Sequence, residues 1–158
     1  MNRVGIATAF ALACLGLAAA PPASAQSLKQ QVVGTWTLQS GMEKLPDGKT
    51  VSYWAAGRLM LDASGHVALF LVGKDRGNAD PNPRLPVGPF VAYYGTYGVD
   101  EAKKTLTFDV EFGASPAFDK SVRIQTISLD NGTMTATGTP VKTPDGNIVP
   151  VNEWKRAK

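Results

Sequence analysis

Residues 91–112 read VAYYGTYGVDEAKKTLTFDVEF, and this stretch decides the fold class. In its second half Leu106, Phe108, Val110 and Phe112 alternate with Thr105, Thr107, Asp109 and Glu111. A period of two is that of a β-strand with one apolar and one polar face. The strand predicted over Thr105 to Phe112 therefore turns its four apolar side chains one way. Asp100 to Lys104 is a turn, and Val91 to Val99 is the partner strand, with Tyr93, Gly95 and Tyr97 sharing one face.

The same pattern spreads outward in both directions. Gly and Pro punctuate the chain, and β-branched and aromatic residues fill the gaps, as in many short strands joined by turns. Upstream, Arg58 to Leu61 and His66 to Val72 flank Asp62-Ala63-Ser64-Gly65, a hairpin turn, with Leu59, Leu61, Val67, Leu69 and Leu71 able to share a face. Downstream, Ser121 to Leu129 and Thr133 to Gly138 flank Asp130-Asn131-Gly132, a strong hairpin signal. Val32 to Leu38 is a first strand, Val51 to Ala55 a short strand or bend, and Val149 to Lys155 the last strand. Pro46-Asp47-Gly48 marks a further turn. Only Ser27 to Gln31 reads as helical. Gly73 to Pro89 holds four prolines and is neither helix nor central strand.

Eight or nine antiparallel strands in one small domain must hide their edges. Closure into a small meander β-barrel does that completely, and a two-sheet sandwich is the alternative. An eight-stranded barrel is just wide enough to be filled by side chains or to hold one small ligand.

The first residues form a separate unit. Arg3, the apolar run Val4 to Ala20, the helix-breaking Pro21-Pro22 and the small residues Ala23-Ser24-Ala25 make up a cleavable signal peptide over 1–25, which leaves a barrel domain over 26–158 and a periplasmic or secreted location. A membrane anchor needs about 20 clean apolar residues, and this run is short and meets its cleavage site at once. Cys14, the only cysteine, leaves with the leader. Without disulfides the remaining chain of about 130 residues depends on its core. The net charge of +3 is scattered, without a Lys/Arg cluster, which argues against nucleic acid as a partner.

Five stretches resemble a bacterial lipocalin-like domain family. They are Gly34-Thr35-Trp36, Gly57-Arg58-Leu59, Gly65 with the strand after it, Tyr93-Tyr94-Gly95-Thr96-Tyr97 with Val99-Asp100, and Trp154-Lys155-Arg156. Their order and spacing match over nearly the whole chain after the leader. The resemblance implies a meandering calycin-type barrel with a central cavity for a small hydrophobic molecule. It also implies barrel closure by Trp36, with Arg156 stacked on its indole. Two departures stand out. A longer, partly helical segment before the Tyr-x-Gly-x-Tyr strand is replaced here by the Pro-rich stretch, and Phe108 stands where many members carry histidine.

The candidate cavity residues are Leu61, Leu69, Tyr93, Tyr97, Phe108, Val110 and Arg123. A phenol offers apolar area with one hydrogen bond, which suits an amphipathic ligand. Arg123 shares a face with Ile127 and Leu129 and can hold a carboxylate through a forked pair of hydrogen bonds, or else sit at the rim. The single histidine, His66, supplies no metal site and no catalytic triad. Asp109 and Glu111 belong to the solvated face. No catalytic residue, cofactor or metal is assigned. Three readings stay open: a monomeric or weakly dimeric binding barrel for a small apolar or amphipathic molecule, a cyclase or isomerase using Tyr93, Tyr97 and Arg123, and a filled barrel acting through surface features such as Phe70.

Overall fold

A computed structural model describes residues 26–76, 88–144 and 146–158. The leader at 1–25 and the middle of the Pro-rich stretch, 77–87, lie outside the described residues. The chain is all-β. Its strands are β1 Gly34–Lys44, β2 Thr50–Val51, β3 Trp54–Leu61, β4 His66–Gly73, β5 Phe90–Asp100, β6 Thr105–Gly113, β7 Val122–Asp130, β8 Thr133–Gly138, β9 Val141–Thr143 and β10 Gly146–Arg156. One short helix, α1 Leu28–Val32, precedes them.

The strands pair antiparallel in the order β2-β1-β3-β4-β5-β6-β7-β8-β10-β9, and β1 also pairs with β10. Eight of them therefore close into a barrel, with β2 and β9 as short additions. Closure leaves no long edge in the main ring. The hairpins follow the turn chemistry expected of them. Asn131 and Gly132 have φ of 46° and 77°, the mirror-image turn that suits strand twist.

The two ends of the barrel differ. At one end the connections are the tight turns at 62–65, 101–104 and 131–132. There α1 lies across the opening. Ser27 caps it in a capping box with Gln30, and the Glu101 carboxylate accepts from the N–H groups of Leu28 and Lys29 at 2.8 and 3.0 Å. Trp36 is fully buried beneath, its Nε1 donating to the Val32 carbonyl at 2.8 Å. The Arg156 guanidinium carbon lies 4.4 Å from the centre of the Trp36 ring. Its Nη1 donates to the Val33 carbonyl at 2.7 Å, and its Nη2 donates to the Gln31 carbonyl. One arginine thus covers the indole and ties the last strand to the segment between α1 and β1.

Inside, Leu59, Leu61, Leu106, Phe108, Met134 and Trp154 are almost wholly buried and fill this half of the barrel. Leu59, Leu61, Val67, Leu69 and Leu71 do share the inner face. Phe112 does not join its strand's inner face: it is 57% exposed. The reason is a β-bulge. Tyr94 faces Phe112 but Gly95 faces Val110, so Glu111 is an extra residue in β6 and inverts the alternation beyond it.

Two more bulges act likewise. Leu38 pairs with Trp154 and Ser40 with Glu153, so Gln39 is extra in β1. Trp54 pairs with Gly73 and Ala56 with Val72, so Ala55 is extra in β3. Each bulge exchanges the faces of the residues between it and the end of the barrel opposite α1.

Candidate functional site

The end opposite α1 gathers the longer connections, those joining β1 to β3, β4 to β5, β6 to β7 and β8 to β10. A cavity of about 390 Å³ opens there. Its apolar wall comes from Trp54, Leu69, Leu71, Val91, Tyr93 and Phe118, with Ile148 and Pro150 on the β10 side. Its polar members are Glu43, Arg123, Gln125 and Asn152, with the hydroxyl residues Ser115 and Thr139.

Local sequence explains how each arrives. Asn152 follows from simple alternation along β10, two residues from the buried Trp154. Arg123 and Gln125 alternate in the same way with the buried Ile127, while Val122 and Ile124 are 61% and 42% exposed on the outer face. Arg123 therefore belongs to the inner wall rather than the rim. Glu43 and Trp54 reach the cavity only because the bulges at Gln39 and Ala55 change the phase of their strands. Gly41 makes room for Trp54, since a Cβ at residue 41 would lie 2.6 Å from the indole Cδ1 and 3.1 Å from Asn152 Oδ1.

Phe118 comes from the β6–β7 connection. Ser115 caps a single 3-10 turn, Pro116–Phe118, and Ser121 Oγ donates to the Phe118 carbonyl at 2.6 Å. This turn lays the Phe118 ring between two neighbours. Tyr93 is tilted against it at 5.6 Å, and the Arg123 guanidinium carbon sits 4.7 Å from its centroid. Burial pushes the Tyr93 phenol well above its ordinary range, although nearby Arg123 pulls the other way. Tyr93 is thus a neutral hydroxyl throughout the neutral pH range.

Of the seven residues expected in the cavity, Leu69, Tyr93 and Arg123 line it. Leu61, Tyr97, Phe108 and Val110 are not part of its wall; they are packed core deeper in the barrel. Tyr97 is drawn to the α1 end, where its hydroxyl donates to the Asp62 carbonyl at 2.7 Å. Tyr93, Tyr97 and Arg123 are therefore not gathered in one site. His66 is exposed beside Asp62, 2.9 Å from its carboxylate, and Asp109 and Glu111 face outward.

Among the described residues Glu43 is the one carboxylate in the cavity wall. Desolvation raises its pKa above the ordinary glutamate value. A raised folded-state pKa means the folded chain holds this proton more tightly than the unfolded chain, so stability is lost as pH rises above the unfolded value. Glu43→Gln should accordingly raise the melting temperature at about pH 7.5 and leave it unchanged at about pH 3.5, where both states are protonated. A thermal melt at the two pH values checks this, and an equal shift at both would refute it.

No family model matches the chain, and no curated protein matches it. Among solved structures it is similar to an uncharacterized protein from Bacteroides eggerthii DSM 20697. The two are 15% identical with a TM-score of 0.42, over 79% of this chain and 98% of that one.

Proposed function

We propose that this chain is an exported barrel that holds one small apolar or amphipathic molecule in the cavity opposite α1. One observation carries the reading: the barrel is packed with side chains in one half and hollow in the other, with a volume inside the range of small-molecule sites, roughly 300 to 1,000 Å³. A mainly apolar wall with a few convergent polar groups is the make-up of such sites. The leader pattern at 1–25 supports export to the periplasm or beyond, and the five family-like stretches support a lipocalin-like relationship.

The test uses protein recovered from the periplasm, whose N-terminus should be Gln26. N-phenyl-1-naphthylamine, a neutral fluorophore, should bind saturably at one site per chain. Ala117 is exposed at the cavity mouth, so a larger side chain there blocks the opening without entering the core. Ala117→Trp should weaken dye binding by about tenfold or more, a change of at least about 1.4 kcal/mol, with an unchanged melting temperature. Absence of saturable binding, or equal binding by the variant, would mean that the hollow is not a ligand site. A start at a residue before Ala23 would reject the cleavage.

A further inference from the structure

The polar atoms of the cavity wall carry a second message. Arg123 Nε, Gln125 Oε1 and Asn152 Oδ1 are all buried, and none has a hydrogen-bond partner among the described residues. All three residues line the same cavity. Buried polar groups in folded proteins are almost always paired, so three orphans converging on one hollow mark groups that are satisfied from outside the chain.

Their chemistry is complementary in kind. Arg123 is a permanent cation with only donors; it lies over the Phe118 ring, with the Tyr93 phenol nearby. Among the described residues no carboxylate lies within ion-pair distance of it. Glu43, the carboxylate of the cavity, stands on β1 across the opening. Its raised pKa comes from desolvation, with no contribution from Arg123. Gln125 and Asn152 present acceptors. Gln125 follows Arg123 by two residues on the same face, about 7 Å further along the strand. β7 runs from the cavity mouth toward the 131–132 turn, so Gln125 lies deeper than Arg123.

We propose that the ligand is an amphipathic carboxylic acid bearing a second polar group: a carboxylate held at Arg123 over Phe118, a hydroxyl or amide N–H held by Gln125 and Asn152, and an apolar chain against Leu69, Leu71 and Tyr93. This inference rests on the reading of the cavity as a ligand site. The anion gains the planar donor fork of the guanidinium, and the acceptors gain the donor that the protein does not supply.

Displacement of bound N-phenyl-1-naphthylamine by three ten-carbon compounds tests it. Decanoate should displace the dye at about tenfold lower concentration than decan-1-ol, as expected for a charge-assisted hydrogen bond. 3-Hydroxydecanoate should act at several-fold lower concentration again. Arg123→Met, which keeps packing against Phe118, should lose the distinction and be displaced by decanoate and decanol at like concentrations. Equal displacement by the acid and the alcohol in the unaltered chain overturns the proposal, and needs no variant to fold. A preference for the acid that survives in Arg123→Met also overturns it. Equal displacement by decanoate and its hydroxy derivative overturns the assignment of the inner donor. Failure of the dye itself to bind would instead remove the cavity reading on which the inference stands.

Discussion

Replacing Trp36 with alanine should lower the melting temperature by about 10 to 20 °C. Removing a fully buried tryptophan costs about 3 to 5 kcal/mol, and for a domain of this size each kcal/mol moves the midpoint by a few degrees. The indole is completely excluded from solvent and donates to the Val32 carbonyl. It also underlies the Arg156 guanidinium, which holds the carbonyls of Val33 and Gln31. Loss of the ring therefore opens the floor of the barrel and loosens α1 together. Arg156→Ala should cost less, about 1 to 3 kcal/mol, because it removes the cover and the carbonyl contacts but leaves the core filled. The double variant should be less destabilised than the sum of the two, by about 0.5 kcal/mol or more, since the residues share one interaction. Strict additivity in chemical denaturation would show that the stacked pair is not a coupled closure.

The second large effect is expected at Gly95. A Cβ there would sit well inside van der Waals contact of the Asp109 carbonyl oxygen and 2.9 Å from the Glu111 nitrogen. Both obstacles are backbone, and both belong to the bulged part of β6, where two residues crowd against one on β5. Neither can rotate away as a side chain would. Gly95→Ala should cost at least about 3 kcal/mol, at the severe end for a single methyl group. Gly98 lies on the same strand with nothing within 4 Å of its would-be Cβ. Gly98→Ala should stay within about 0.5 kcal/mol of the original chain. Similar denaturation midpoints for the two variants would mean that the bulge does not press on residue 95.

That pair of glycines shows where local sequence stops being informative. Gly95 and Gly98 sit three residues apart in one strand; alternation puts Gly95 on the face of Tyr93 and Tyr97 and Gly98 on the other, but nothing in the residues beside them tells that backbone presses against residue 95. The difference comes from β6 and from the extra residue it carries.

The same physics accounts for what was legible in the candidate site. Asn152, Gln125 and Arg123 follow the inward phase of Trp154 and Ile127, so alternation is enough to place all three, but it says nothing of the position of Arg123 against Phe118. Glu43 and Trp54 could not be placed, because bulges at Gln39 and Ala55 shift the phase between them and the recognisable core. Phe112 errs in the opposite direction for the same cause, at Glu111. Phe118 lies in a connection with no period at all, and its place is set by a capped turn and by the rings it meets.

By itself, the sequence determined the class of fold. Apolar residues at a period of two, broken by glycine and asparagine turns, specify short antiparallel strands whose edges must be hidden in a barrel or a two-sheet sandwich; the pairing of β1 with β10 decides for the barrel. Periodicity did not single out the residues of the barrel floor; the lipocalin-like resemblance of Gly34-Thr35-Trp36 and Trp154-Lys155-Arg156 implied the pairing of Trp36 with Arg156, and the two are stacked in the structure. Only the tertiary structure decided which half of the barrel is filled and which is hollow. Alternation tells which side of a strand faces inward, but not how far along the barrel a residue lies. Tyr93 and Tyr97 share one face, yet one borders the cavity and the other bonds to a turn at the far end. Depth is set by strand stagger and by bulges, and these arise from pairing with partners elsewhere in the chain.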